Sequence, residues 1–300
     1  MEISVVIPSY NTDQTIEKTL TKLEAQKTEL NYEIIVVDCS SHERVTEKCT
    51  PFKHTSCIKV AKRFNPGEGR NIGAKAAKGS LLIFVDSDVQ IANDVLEKAW
   101  DHYQAGAKIF GGALELNLQE DSSSAAYLEH FFFNHESQAS RPECERSNLS
   151  SAFMCFERSL FIGSGGFKDI PRMQDTELTE RLKRDNQVKL MFYPDMTALQ
   201  TQDSPLSKVL RKIFINGQNV YYIRYKKNVS AVARTVLFLT LPLIGAAKTL
   251  RIIARHLKYQ PIYHKLKTVV ISPLLILGGA VWTAGFYNAL ITQKGMGKSR

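Results

Sequence analysis

Asp86-Ser87-Asp88 follows directly on the apolar run Leu81-Leu82-Ile83-Phe84-Val85, which puts two carboxylates where a buried strand gives way to a loop. Neighbours at this spacing point differently, so one acid can reach a divalent cation while the other reaches a ribose. Mg²⁺ and Mn²⁺ take hard oxygen ligands from one or two carboxylates and from substrate phosphates, and that is the donor set on offer. The ordinary alternative is a solvated turn, for which Asp and Ser are common residues. Asp38 ends a second run, Ile34-Ile35-Val36-Val37, where it can accept from a base N–H or a ribose hydroxyl, or else cap a turn with Ser40 and Ser41. Gly67-Glu68-Gly69-Arg70-Asn71 joins a Gly-rich turn to a helix expected from Arg70 to about Lys78, and can turn backbone N–H groups and Arg70 toward phosphates. After the turn Gly163-Ser164-Gly165-Gly166, the segment Gln174-Asp175-Thr176-Glu177-Leu178 opens a helix continued by Leu182. An acid here can deprotonate an acceptor hydroxyl. Asp175 and Glu177 would serve equally as first-turn acids favoured by the helix dipole.

The elements that must position these groups alternate. Residues 3–7 read as a buried strand stopped at Pro8; Asn11 and Thr12 are competent N-caps for a helix carrying Ile16, Leu20 and Leu23; the run at 34–37 is the next strand. Strand, helix, strand, apolar on both faces, describes a right-handed βαβ unit in a parallel sheet. A strand at Cys57–Ala61, the strand 81–85 and a helix with Val95, Leu96, Ala99, Trp100 and Tyr103 continue the alternation. Open α/β sheets bind ligands beyond the carboxyl ends of their strands, so Pro8–Asn11, Asp38 and Asp86–Asp88 are expected to converge on one crevice. From about Ala113 to Asp203 the pattern loosens, with a polar stretch at Gln119–Ser124 and an aromatic cluster at Phe131-Phe132-Phe133.

Five motifs, Val5-Val6-Ile7-Pro8-Ser9-Tyr10-Asn11, Ile34–Asp38, Gly69-Arg70-Asn71-Ile72-Gly73, Phe84-Val85-Asp86-Ser87-Asp88 and Gly165-Gly166-Phe167 with Gln174-Asp175, resemble family 2 glycosyltransferases of the GT-A fold. The resemblance spans roughly Met1 to Asp203. It implies an inverting transfer from a nucleotide-diphosphate sugar, with Pro8, Tyr10, Asn11 and Asp38 at the nucleoside, Arg70 near base or diphosphate, Asp86 at ribose or metal, Asp88 at the metal and Asp175 as base. Three features depart from the family pattern. Cys39 stands where a second acid often follows Asp38. Gln174 replaces the first member of the acidic pair at the base motif. The Gln-x-x-Arg-Trp motif of processive synthases has no match after Asp203, which favours addition of a single sugar.

The bulk properties agree with an ordered protein at a membrane. Of 300 residues 44% are hydrophobic and 23% charged, and the net charge is +9. The basic excess lies late, from Lys208 and Arg211 through Lys226 and Lys227 to Lys265 and Lys267, among the most apolar segments, which favours a membrane surface over a nucleic-acid groove. Five cysteines without a close CxxC pair support neither a disulfide framework nor zinc. The start of the chain is too short and uncharged for a secretory signal. Val236–Ala247 is apolar but short, whereas Thr268–Ile291 approaches the ~20 residues that cross a bilayer. A simple two-span hairpin would set the basic 248–267 connection on the far side, against the positive-inside tendency, and an interfacial or re-entrant first segment resolves this.

The expectation is a Rossmann-like GT-A domain with a mostly parallel sheet over 1–203, split into a nucleotide-sugar half (1–112) and an acceptor-facing half (113–203), and a membrane-associated helical tail over 204–300. Its function would be glycosyl transfer to a lipid-linked or saccharide acceptor at the cytoplasmic face of the membrane, in envelope polysaccharide or glycolipid synthesis, with Mg²⁺ or Mn²⁺ and without nucleic acid. The alternatives are a nucleotidyltransferase and a non-catalytic nucleotide-sugar-binding protein.

Overall fold

The computed structural model describes residues 1–118, 123–186, 188–225 and 230–296, without the side chains of 185 and 186. Part of the polar stretch at 119–124 and both Lys226 and Lys227 lie outside the described residues. The chain forms two compact units, one of Met1–Glu115, Arg141–Asp169 and Gln174–Thr201, the other of Leu116–Ser140, Ile170–Met173 and Gln202–Arg300.

In the first unit the elements run β1 (Ile3–Ser9), α1 (Ile16–Glu24), β2 (Tyr32–Asp38), α2 (Arg44–Cys49), β3 (Thr55–Lys59), α3 (Pro66–Ala76), β4 (Leu81–Val85), β5 (Val89–Ile91), α4 (Val95–Gln104) and β6 (Ile109–Leu116). Then, after α5 (Ser124–Phe133) of the second unit, come β7 (Cys144–Glu145), β8 (Phe153–Glu157), α6 (Arg158–Gly163), α7 (Gln174–Asn186) and β9 (Met191–Gln200). Among the described residues they make a mixed sheet of order β3-β2-β1-β4-β8-β6-β9-β5, with β7 on β9. β3, β2, β1 and β4 are parallel; β8 turns the direction, pairing antiparallel with β4 and β6.

The strands are apolar on both faces because both are covered. Val5, Ile7, Ile34, Val36, Ile83 and Val85 face the layer of α1, α2 and α4. Val6, Ile35, Val37, Leu82 and Phe84 face the opposite layer, with Phe161, Phe167, Leu178 and Leu182. One glycine sets the distance between α3 and the sheet: a Cβ on Gly73 would strike Val6 Cγ1.

Three local expectations differ from the structure. Neither Asn11 nor Thr12 caps α1, whose N-cap is Thr15 without a side-chain bond; Asn11 instead takes a left-handed φ of 55° and Thr12 shares a hydrogen bond with Ser9 at 2.7 Å. The Gly-rich segment at 67–69 is the first turn of α3 and not a free turn, because Asn65 accepts from the Glu68 amide at 3.0 Å and Pro66 presets the helical start. β3 begins and ends two residues before the expected strand.

The second unit holds α5, α8 (Leu206–Val220) with a π-helical turn at Tyr221–Tyr225, α9 (Ala231–Tyr259) and α10 (Ile262–Thr292). Its core joins Tyr127, Leu128, Phe131 and Phe132 to Ile213, Leu241, Leu275 and Trp282. The aromatic cluster at 131–133 thus belongs with the C-terminal helices and not with the acceptor-facing half drawn at 113–203. Both long helices pass through Pro242 and Pro273 without ending. The apolar stretches expected at 236–247 and 268–291 are the inner parts of helices 29 and 31 residues long, each long and apolar enough to cross a membrane.

Candidate active site

The parallel register brings the first two groups together at one edge. Ser9 pairs with Asp38 across β1 and β2, and Asp38 with Lys59 across β2 and β3. Asp38 is fully buried, so its charge needs partners. Its Oδ1 accepts from Ser9 Oγ at 2.9 Å and Ser40 Oγ at 2.6 Å, and its Oδ2 from Lys59 Nζ at 2.9 Å. Ser40 Oγ in turn accepts from the Asn11 amide at 2.7 Å. Asp38 therefore fastens the loop after β1, which carries Tyr10 and Asn11, to the ends of β2 and β3. Burial alone would lower the Lys59 pKa, but hydrogen bonds and charge from Asp38 and Glu43 raise it, so the ammonium stays charged. The Tyr10 ring lies under the Arg63 guanidinium at 4.3 Å. Cys39 is buried, and Pro8 sits within β1 in step with Val37.

Asp86 and Asp88 occupy the turn between β4 and β5, closed by Val89 N–H donating to Asp86 O at 3.0 Å. Arg70, almost wholly buried on α3, donates to Asp86 Oδ1 and stacks 5.6 Å from the Phe167 ring. Gln200 Nε2 donates to Asp88 Oδ1 at 3.3 Å. Among the described residues no group of three His, Cys, Asp or Glu side chains converges to hold a metal. Two hard carboxylates at one turn fit Mg²⁺ or Mn²⁺ completed by diphosphate oxygens, and not a cage built from protein alone.

The Gly165-Gly166-Phe167 segment docks on α3 through Asn71, whose Oδ1 accepts from Phe167 N–H at 2.9 Å and whose Nδ2 donates to Phe167 O at 2.7 Å. Gly166 has a φ of 66°, and a Cβ there would meet Asn71 Oδ1, so both backbone and space demand glycine. Gln174 Nε2 donates to Asn65 Oδ1 at 2.6 Å, fixing the start of α7 to the start of α3. The two acids that follow differ. Glu177 is held by Lys168 at 2.7 Å and Arg181 at 3.1 Å. Asp175 accepts from the amides of Thr176 at 2.7 Å and Ser151 at 3.3 Å. The next residue, Ala152, accepts through its carbonyl from Asp86 N–H at 3.1 Å. Asp86 and Asp175 are thereby hung from the same dipeptide, Ser151-Ala152.

A family model described as "Glycosyl transferase family 2" matches residues 4–163, which include Asp38, Lys59, Arg70, Asp86, Asp88 and Ser151 but not Asp175 or Gln200. The chain belongs to this family. Among its relatives are a dolichol-phosphate mannosyltransferase of Pyrococcus furiosus, 31% identical over 38% of this chain, and the poly(ribitol-phosphate) beta-N-acetylglucosaminyltransferase TarS of Staphylococcus aureus, 33% identical over 33% of it. Those stretches cover 33% and 18% of the relatives' own lengths. The mannosyltransferase PcManGT of Pyrobaculum calidifontis, solved with GDP-Man and Mn²⁺, superposes with a TM-score of 0.63 at 13% identity, covering 98% of this chain and 88% of that one. TarS residues 1–349 with UDP-GlcNAc superpose at 0.56 and 17% identity, covering 98% and 92%. At such identities the likeness speaks for the fold, and the fold is GT-A.

Lys59, Ser151 and Gln200 are not marked by any motif in the sequence. Lys59 is within reach of a sequence reading, since a strand ending at residue 59 sets a lysine level with Asp38. Ser151 and Gln200 carry no signal, because one lies in the turn before β8 and the other at the end of β9, far along the chain from the acids they meet.

Proposed function

We propose that the chain transfers a single sugar, with inversion, from a nucleotide-diphosphate donor to a lipid-linked or membrane-proximal acceptor at the cytoplasmic face of a membrane. The observation that carries this reading is the Ser151-Ala152 dipeptide, which tethers an acid suited to the donor metal and an acid suited to be a base. Pro8, Tyr10 and Asn11 would frame the nucleoside, with Asp38 and Lys59 bracing that loop from beneath. Asp86 and Asp88 would hold Mg²⁺ or Mn²⁺, which supplies positive charge to a departing diphosphate. Arg70 would act on the donor through Asp86, by fixing that carboxylate. Asp175 would take the proton from the acceptor hydroxyl as its oxygen attacks the anomeric carbon from the face opposite the diphosphate.

Family membership supports the reaction class, and the donors bound by the two structural neighbours support a nucleotide-sugar. The lipid-linked acceptor rests on the dolichol-phosphate relative and on the two long apolar helices. The decisive experiment incubates the full chain in detergent with a panel of nucleotide sugars, with and without Mn²⁺ and a polyprenyl-phosphate or saccharide acceptor. The expected outcome is metal-dependent release of nucleoside diphosphate from one donor, accelerated by acceptor. Release of pyrophosphate would establish a nucleotidyltransferase instead, and binding without release a nucleotide-sugar sensor.

A further inference from the structure

We propose that α9 and α10 lie along the surface of an anionic lipid leaflet as one docking plate and do not cross the bilayer. This rests on the membrane-associated reading above and adds the mode of attachment. The two helices pack closely: a Cβ on Gly245 would strike Thr283, and one on Gly279 would strike Thr249. Their outward faces are apolar, with Leu239, Leu243 and Leu250 on α9 and Leu266, Val269 and Val270 on α10 each at least 60% exposed.

Length and composition alone would allow both helices to span. Charge within the second unit argues otherwise. Gly278 stands near the middle of α10, where a crossing helix meets the bilayer centre, and its neighbours are Leu128 and Phe132 of α5 and Ile213 of α8. Glu129, next to Leu128, forms an ion pair with Lys212, next to Ile213. The Lys248 ammonium lies 5.3 Å from the Trp282 ring and 5.0 Å from the Phe132 ring. A crossing α10 would carry these three charged groups, and α8 with its exposed Arg211, toward the depth where ionised side chains are most costly. Laid in the plane, the same helices keep the covered face and its charges away from hydrocarbon and turn only the apolar face to lipid.

The sign of the leaflet follows from composition. Sixteen of the 39 Lys and Arg lie beyond Asp203, and none of the 30 Asp and Glu does. On α9, Arg251 and Lys258 are exposed directly beside Leu250 and Leu257. Cations that flank an apolar face are drawn to anionic headgroups while the face inserts between them.

The test uses the full chain in inverted membrane vesicles from expressing cells, carrying Lys258→Cys or Lys294→Cys, exposed positions near opposite ends of the pair. A membrane-impermeant maleimide, read peptide by peptide by mass spectrometry, should label both positions equally with and without detergent. Flotation with phosphatidylcholine vesicles should strengthen when phosphatidylglycerol is included, and Arg251→Gln with Lys258→Gln should weaken it on the order of tenfold. Protection of either cysteine until detergent is added would overturn the in-plane mode and leave membrane attachment standing. Indifference to phosphatidylglycerol would overturn the anionic partner. A full chain that neither floats nor sediments with membranes would remove both this proposal and the membrane reading beneath it.

Discussion

Asp175 and Glu177 are separated by one residue, yet they keep different company. Two cations hold Glu177, whereas Asp175 accepts backbone amides, from Thr176 and Ser151. Asp175→Asn keeps shape and removes the proton acceptor, so turnover should fall by about 10²–10⁴-fold with donor affinity close to unchanged. Glu177→Gln removes a partly exposed ion-pair anion, with an expected cost of about 1 kcal/mol or less in denaturant unfolding and near-normal turnover. Turnover and donor affinity measured on both variants settle the assignment, and a collapse confined to Glu177→Gln would move the base there. Asp88→Asn should abolish the Mn²⁺ dependence of donor affinity in calorimetry while leaving the unfolding midpoint in place; undiminished metal-dependent affinity would take Asp88 out of the site. Cys57 offers a probe of the same sheet edge. A hydrogen bond from Cys49 is the chief cause that lowers the Cys57 thiol to about 7, against the opposing effect of burial. The thiolate therefore accumulates as pH rises through 7, and alkylation of Cys57, followed by mass spectrometry, should accelerate there and not near the ordinary thiol value of about 8.5. The positions of Asp38 and Asp86 at strand ends were legible in the sequence because each follows directly on an apolar run. The role of Ser151 was not, because nothing local marks a backbone amide that a residue 24 positions later will use.

At the scale of elements, α3 shows what pattern reading gains and misses. Its glycines looked like a phosphate-binding turn, but the Asn65 cap and Pro66 at the first helical position start the helix earlier and commit those glycines to packing. Helix capping and the Pro at the helix start were both written in the sequence; the close approach of Gly73 to Val6 was not, since it depends on how α3 lies on the sheet. Asn65→Ala should cost about 1 kcal/mol from the lost cap, and somewhat more because Asn65 also holds Gln174 and Asp169. Gly73→Ala should cost about 1–3 kcal/mol through the forced retreat of Val6, despite the better helix propensity of alanine. Urea unfolding of the full chain measures both, and a Gly73→Ala protein of unchanged or greater stability would show that α3 can shift without penalty.

For the whole molecule, the change of composition near Asp203 is visible in the sequence, whereas the recruitment of Leu116–Ser140 into the C-terminal unit is not. α5 is apolar nearly all round, with Tyr127, Leu128, Phe131 and Phe132 buried against the later helices, and no local pattern says which later helices they are. A chain ended at Ser204 would uncover these side chains. It should aggregate or bind a hydrophobic dye strongly, and a monodisperse, dye-silent product in sedimentation would show that α5 finds other cover.

The acid-free tail also governs how molecules treat one another. With 23 Lys and Arg against 30 Asp and Glu before residue 204, and sixteen cations with no anion after it, the chain is a polyelectrolyte of two signs whose isoelectric point near 9.2 describes neither part. At low ionic strength the acidic region of one molecule attracts the basic region of another, and salt shortens the reach of that attraction to about 10 Å at 0.1 M. The chain should therefore salt in: in a fixed amount of detergent, turbidity at neutral pH falls as sodium chloride is raised, whereas association through apolar surface would make it rise.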